Sequence, residues 1–276
     1  MGKGIGDDIR QMGVVTKYEL LKHLRSRKMF IFVGITALMF ILVTALRIAI
    51  NGELPKDPTK FMEAYLGLVD LLLIIGVSLF CASAIASEFE ERTALLMFPR
   101  PIKKTSLFIG KMMACYIVCG GILALYYGIC IIFSLLNTGG LDTNVFGSLG
   151  MGFMFMFGAG GFALLMSTVF KKASTAVIVT IATLLLILQI VCGILEAFKI
   201  EPVFSITYMS KDILNFISGH TSGVPPGLEA FVEMAEKWGV SLMQYYPTHA
   251  MAFGIAATWA IATTAISVFL FSRKEF

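Results

Sequence analysis

MFIFVGITALMFILVTALRIAI, Met29 to Ile50, holds one charged side chain, Arg47, in a stretch long enough to cross a bilayer. A hydrocarbon core of about 30 Å takes about 20 apolar residues wound as a helix, whose backbone groups satisfy one another where no water can. This run therefore reads as a transmembrane helix. Outward from it, further apolar blocks lie near 66 to 87, 106 to 136, 145 to 170, 173 to 198 and 247 to 271, each bounded by charge, Gly, Pro or Asn. The chain is 57% hydrophobic and 14% charged, with mean hydropathy +0.84, against about 25% charged for a soluble domain. The expected fold is all-α: a polytopic membrane protein of six transmembrane helices in a single domain, residues 1–276. The first block follows a long charged segment and is a full span, so it reads as retained and not as a cleavable signal.

Lys and Arg set the orientation. Sixteen of the 22 fall on one side: those from Lys3 to Lys28, from Arg92 to Lys111, at Lys171 and Lys172, and at Arg273 and Lys274. An excess of basic residues marks the cytoplasm, so both termini and the 88–105 loop are expected inside, in a cell membrane. The net charge of +4 belongs to these span ends and does not point to nucleic acid. The third block is longer than a bilayer needs and should tilt or project at the end carrying Lys111.

Residues 8–28 place Ile9, Met12, Val15, Tyr18, Leu21 and Leu24 at intervals of three, with Lys17, Lys22 and Arg25 between them. An interfacial amphipathic helix is expected there, with Lys17, Tyr18, Leu21 and Arg25 at the lipid headgroups. The 199–246 segment, interrupted by Pro202, Pro225 and Pro226, should form short external helices, one of them over Gly227 to Trp238.

Catalytic patterns are absent: there is no GxxxxGK[ST], HExxH, GxSxG or Cys-x-x-Cys. His23, His220 and His249 lie in three separate non-spanning segments and cannot make one metal site. Met151, Met154 and Met156, with Cys115 and Cys119 a turn apart, are soft ligands in principle but read as packing in apolar helices. No metal is expected. Asp70 is an acid placed inside a span, an expensive position unless paired or functional, and Arg47 should lie at similar depth. An Arg47–Asp70 intramembrane ion pair is the expectation. Small residues from Ala82 to Ser87 and from Gly158 to Ala163 permit close helix approach, within the chain or at a dimer seam.

The most informative stretch is Glu88-Phe89-Glu90-Glu91-Arg92-Thr93-Ala94-Leu95-Leu96-Met97-Phe98-Pro99-Arg100-Pro101-Ile102-Lys103-Lys104, followed by Gly110-Lys111. Acids favour a helix start, Ala94 to Phe98 gives an apolar face, and Pro99 and Pro101 stop the helix. An apolar patch on a polar loop marks a docking surface.

This pattern resembles the type-two ABC transporter permease family: acid-x-acid, Thr93, an apolar pair, Pro99, a basic residue and a later Gly-Lys, with Arg92 where the family usually has Gly. Six spans, cytoplasmic termini, a basic interfacial helix and an elaborated last external loop resemble that family too. The resemblance implies a short cytoplasmic coupling helix within 88–104, with Glu88, Glu90, Glu91, Arg92, Thr93, Leu95, Leu96 and Pro99 as ATPase-coupling residues. It implies two copies of a cytoplasmic ABC ATPase, which bind the ATP and Mg. The chain itself would bind no cofactor, catalyse nothing, and pair with itself or a related permease to drive export. Two other classes stay open: a secondary transporter needing no ATPase, and a non-transporting subunit that passes ATPase work to an external protein.

Overall fold

The computed structural model describes residues 5–52, 54–90, 104–219 and 245–273. Among these the chain is helical and holds six helices long and apolar enough to cross a membrane.

Helix α1 (Ile5–Leu24) meets α2 (Arg27–Asn51) at Ser26, whose Oγ accepts from Met29 N (3.4 Å) as an N-cap. Gly52 ends α2 in the left-handed region, φ 74°. The second span is broken. Asp57 caps α3 (Pro58–Leu66), with Pro58 in the first turn, and α4 (Val69–Phe80) follows after Gly67 and Leu68. The span thus runs from Pro58 to Phe80, which corrects the expected 66 to 87. Lys60 and Glu63 make the stretch look like a loop, but α3 buries Phe61, Met62, Tyr65 and Leu66 on its other side. At the far end, Cys81 to Ile85 forms buried turns before α5 (Ala86–Glu90).

The third span, α6 (Lys104–Thr138), is 35 residues long, about 52 Å at 1.5 Å per residue. Next come α7 (Val145–Val169) and the fifth span, formed by α8 (Ala173–Ile181), a π-helical turn (Ala182–Ile187) and α9 (Leu188–Ala197). Helix α10 (Ile206–Ser218) follows, then α11 (His249–Arg273).

Helix α7 is the hub, packed against α4, α6, α8, α10 and α11. A Cβ on Gly158 would stand 2.5 Å from Ile206 Cδ1, and one on Gly160 2.5 Å from Tyr116 Cε1. The small-residue cluster therefore serves packing inside the chain. Helix α10 buries Ile206, Tyr208, Met209, Ile213 and Ile217 against α7, α11 and α3 at one end of the bundle. Helix α1 lies at the other end, along the first turns of α6. The predicted Gly227–Trp238 helix lies outside the described residues.

Candidate functional site

Gly110 decides how α1 meets α6. A Cβ there would stand 2.7 Å from Val15 Cγ1 and 3.1 Å from Met12 O, so a larger residue would push the helices apart. Thr16 Oγ1 donates to Met12 O (2.8 Å) and Gly110 O (3.2 Å) across the same contact.

The next residue, Lys111, is 2% exposed, and its ammonium donates to Glu19 Oε1 of α1 (2.5 Å) and to Glu88 Oε1 of α5. The trio has a formal charge of −1. Burial pushes the Glu19 carboxyl up, but the attraction of Lys111, helped by Lys22 and His23, outweighs it and holds Glu19 below its ordinary value. One turn further along α1, His23 packs edge-on against Phe80 (ring centroids 5.5 Å), with Nε2 3.7 Å from Cys115 Sγ. Three elements distant in sequence are thereby joined at one cation.

The turn between α4 and α5 is held as firmly. Ser167 Oγ of α7 accepts from both Ile85 N (2.9 Å) and Ala86 N (3.0 Å), satisfying two buried amides that no helix serves. Lys28 Nζ donates to Ser83 Oγ (2.9 Å). Glu90 Oε2 accepts from Ala173 N (2.9 Å), the first residue of α8, where a carboxylate suits the positive end of a helix. The helix that ends at Glu90 is therefore anchored, and Lys111 ties it to α6, which begins at Lys104. The thiol beside an imidazole in this arrangement, Cys115 at His23, is fully buried between α1 and α6. The whole is a hydrogen-bonded joint between α1, α5, α6 and α8.

Of the residues singled out from sequence, Glu88 is buried in this joint against Lys111, and Glu90 accepts from the first residue of α8. Glu91, Arg92, Thr93, Leu95, Leu96 and Pro99 lie outside the described residues. Lys17, Tyr18 and Leu21 are exposed on α1, and Arg25 is exposed in the turn that follows it. The predicted single stripe divides: Ile9, Tyr18, Leu21 and Leu24 face outward, whereas Met12 and Val15 face α6. Strict three-residue spacing lags 60° per step on a helix of 3.6 residues per turn, so such a stripe winds around.

Arg47 and Asp70 line two different hollows, and no ion pair joins them. Asp70 Oδ1 accepts from Leu71 N (2.8 Å) in the first turn of α4. Cys115, Cys119, Met151 and Met156 are buried among apolar residues. Among the described residues no group of three or more His, Cys, Asp or Glu side chains is arranged to hold a metal. Sequence reading missed the pairing of Glu19 with Lys111, although an acid on the helix face opposite Tyr18 and a lysine directly after a small residue were visible signals.

The family model described as "ABC-2 family transporter protein" matches residues 15–182, more than half of the chain, with Glu19, Glu88, Glu90, Lys111 and Ser167 inside it. The chain belongs to the ABC-2 transporter family. It is a multi-pass membrane protein of that family, with α1 from Val15 onward and the first four spans inside the match. No curated protein matches the sequence.

Proposed function

We propose that this ABC-2 family member is the membrane-spanning permease subunit of an ABC transporter, driven by two copies of a separate cytoplasmic ATPase. The observation that carries the reading is the buried Lys111, which binds Glu19 and Glu88 and so ties both ends of the 91–103 segment to the bundle. The basic α1 end faces the cytoplasm, and the α10 end faces outward. The 91–98 region docks on the ATPase. ATP and Mg are bound by that partner and not by this chain.

A coupling element must be stiff where it joins the spans, or a push from the partner would be absorbed locally. Here a displacement of 91–103 is passed through Glu88 and Lys111 to α1 and α6, through Glu90 to α8, and through the Ser167 contacts to α7. Closure of the ATPase pair would shift these helices together between two packings, as discrete interfaces allow. The chain pairs with itself or with a related permease, and export is the direction of transport.

The test is co-purification of the detergent-solubilised chain with a candidate cytoplasmic ABC ATPase, comparing wild type with Glu90→Arg and Leu95→Asp. Wild type should retain the ATPase and stimulate ATP hydrolysis, and both folded variants should lose the complex or the stimulation. Wild type that binds no ATPase, or variants that behave as wild type, would refute the assignment.

A further inference from the structure

At the α10 end, the break in the second span opens a hollow of about 840 Å³, lined by Arg47 of α2, Lys56 of the connecting loop, Lys60 and Glu63 of α3, Leu68 at the break and Leu214 of α10. A smaller hollow of about 200 Å³ shares Gly67 and Leu214 with it and continues toward Asp70 and Lys211. The larger hollow presents three cations and one acid among apolar side chains. It lies at the rim of the bundle, because α2 is a peripheral span whose most apolar window is only 22% buried.

Depth is informative. Arg47 stands four residues before Asn51, the last residue of α2, or about 6 Å along the axis. The polar interface of a bilayer is about 5–7 Å thick on each side. Arg47 thus falls near the level where lipid phosphates meet acyl chains. Its neighbours Leu46 and Ile48 are 50% and 48% exposed, as lipid-facing residues are, while Arg47 itself is half-buried against the hollow. A guanidinium recognises phosphate through two parallel N–H donors, and Lys60 adds a point charge from the facing helix.

We infer that this hollow is a binding site for a phosphate-bearing amphiphile of the membrane, its anion held by Arg47 and Lys60 and its chains lying along α2. The chemistry recognised is the phosphate. The position of Arg47 at the lipid level and the apolar half of the lining favour a lipid-borne phosphate over a free one. The inference rests on the geometry of the α10 end and is independent of any ATPase.

The experiment uses the purified full-length chain in neutral detergent. Phosphatidylglycerol, phosphatidylcholine and inorganic phosphate are titrated separately, with lipid retention read by native mass spectrometry and stability by thermal shift. Phosphatidylglycerol should bind and stabilise wild type. Arg47→Gln and Lys60→Gln should each weaken its apparent affinity at least tenfold, Arg47→Lys should weaken it less, and Lys199→Gln, a cation on the same side but away from the hollow, should leave it unchanged. Phosphatidylcholine, whose phosphate charge is neutralised by its own trimethylammonium, should stabilise less than phosphatidylglycerol. Two positions on different helices keep the test decisive if one variant misfolds. Equal binding of inorganic phosphate would assign the site to a soluble anion and overturn the lipid reading. Phosphatidylglycerol binding to both Gln variants with wild-type affinity would overturn the site itself.

Discussion

Replacing Lys111 by Met removes the one cation that faces two buried carboxylates, and the structure sets the scale of the effect. Lys111 is 2% exposed, and the side chains of Glu19 and Glu88 are about 10% and 9% exposed. Water can therefore compensate little of the loss. Breaking a buried ion pair from one side costs about 3–5 kcal/mol, chiefly because an uncompensated charge stays behind. That is roughly a hundredfold to a few thousandfold in a folding equilibrium. The triple variant Glu19→Gln, Lys111→Met, Glu88→Gln removes the stranded charge as well, and should recover most of the loss. Unfolding in mixed detergent micelles, followed by tryptophan fluorescence, measures both. Maleimide labelling of Cys115, fully buried beneath His23, reports whether α1 has lifted from α6. Lys111→Met with wild-type stability and a protected Cys115 would refute the joint, as would a triple variant no more stable than the single one.

Gly110→Leu should separate α1 from α6 and destabilise the protein by about 1–3 kcal/mol, the usual cost of overpacking, with Cys115 labelling rising in parallel. Ser167→Ala leaves the amides of Ile85 and Ala86 unserved and should cost about 1–3 kcal/mol in the same unfolding assay. Because the folded value of Glu19 lies below its ordinary one, its contribution is complete above about pH 4.3 and is lost as pH falls through the lower folded value. Wild-type stability should drop over that acid range, and Glu19→Gln should show a smaller drop. Asp212 is fully buried and accepts from Asn215 Nδ2 (3.3 Å), with His249 Nδ1 at 2.9 Å; Asp212→Ala should loosen α10 from α11 and cost about 1–3 kcal/mol by unfolding.

Spans were legible wherever apolar runs were unbroken, since Met29 to Ile50 and Gly150 to Val169 leave a chain no aqueous alternative. The second span was misplaced because a window of average polarity cannot separate a loop from a helix such as α3, which shows Lys60 on one side and buries Tyr65 on the other. The π-helical turn at Ala182–Ile187 left no sequence mark, since every residue in it also suits an α-helix. Glu88 and Gly110-Lys111 were recognised by their motif, but not their contact with each other: a carboxylate at the start of a polar loop shows no intramolecular partner until the fold brings a buried lysine beneath it. Glu19 and Lys111 are 92 residues apart, a separation that local periodicity cannot bridge. The Arg47–Asp70 pairing failed for a related reason. Equal depth in a membrane does not place two side chains on facing surfaces.

The central claim is that the 91–103 segment meets a cytoplasmic ATPase, and the most direct measurement is photocrosslinking in cells from a benzophenone side chain at Leu95, with the exposed Phe198 at the opposite end of the bundle as control. The account predicts a crosslink from Leu95 that adds the mass of one ABC ATPase subunit, and none from Phe198. A segment that captures no ATPase from any position between 92 and 98, while the chain is folded in the membrane, would contradict it.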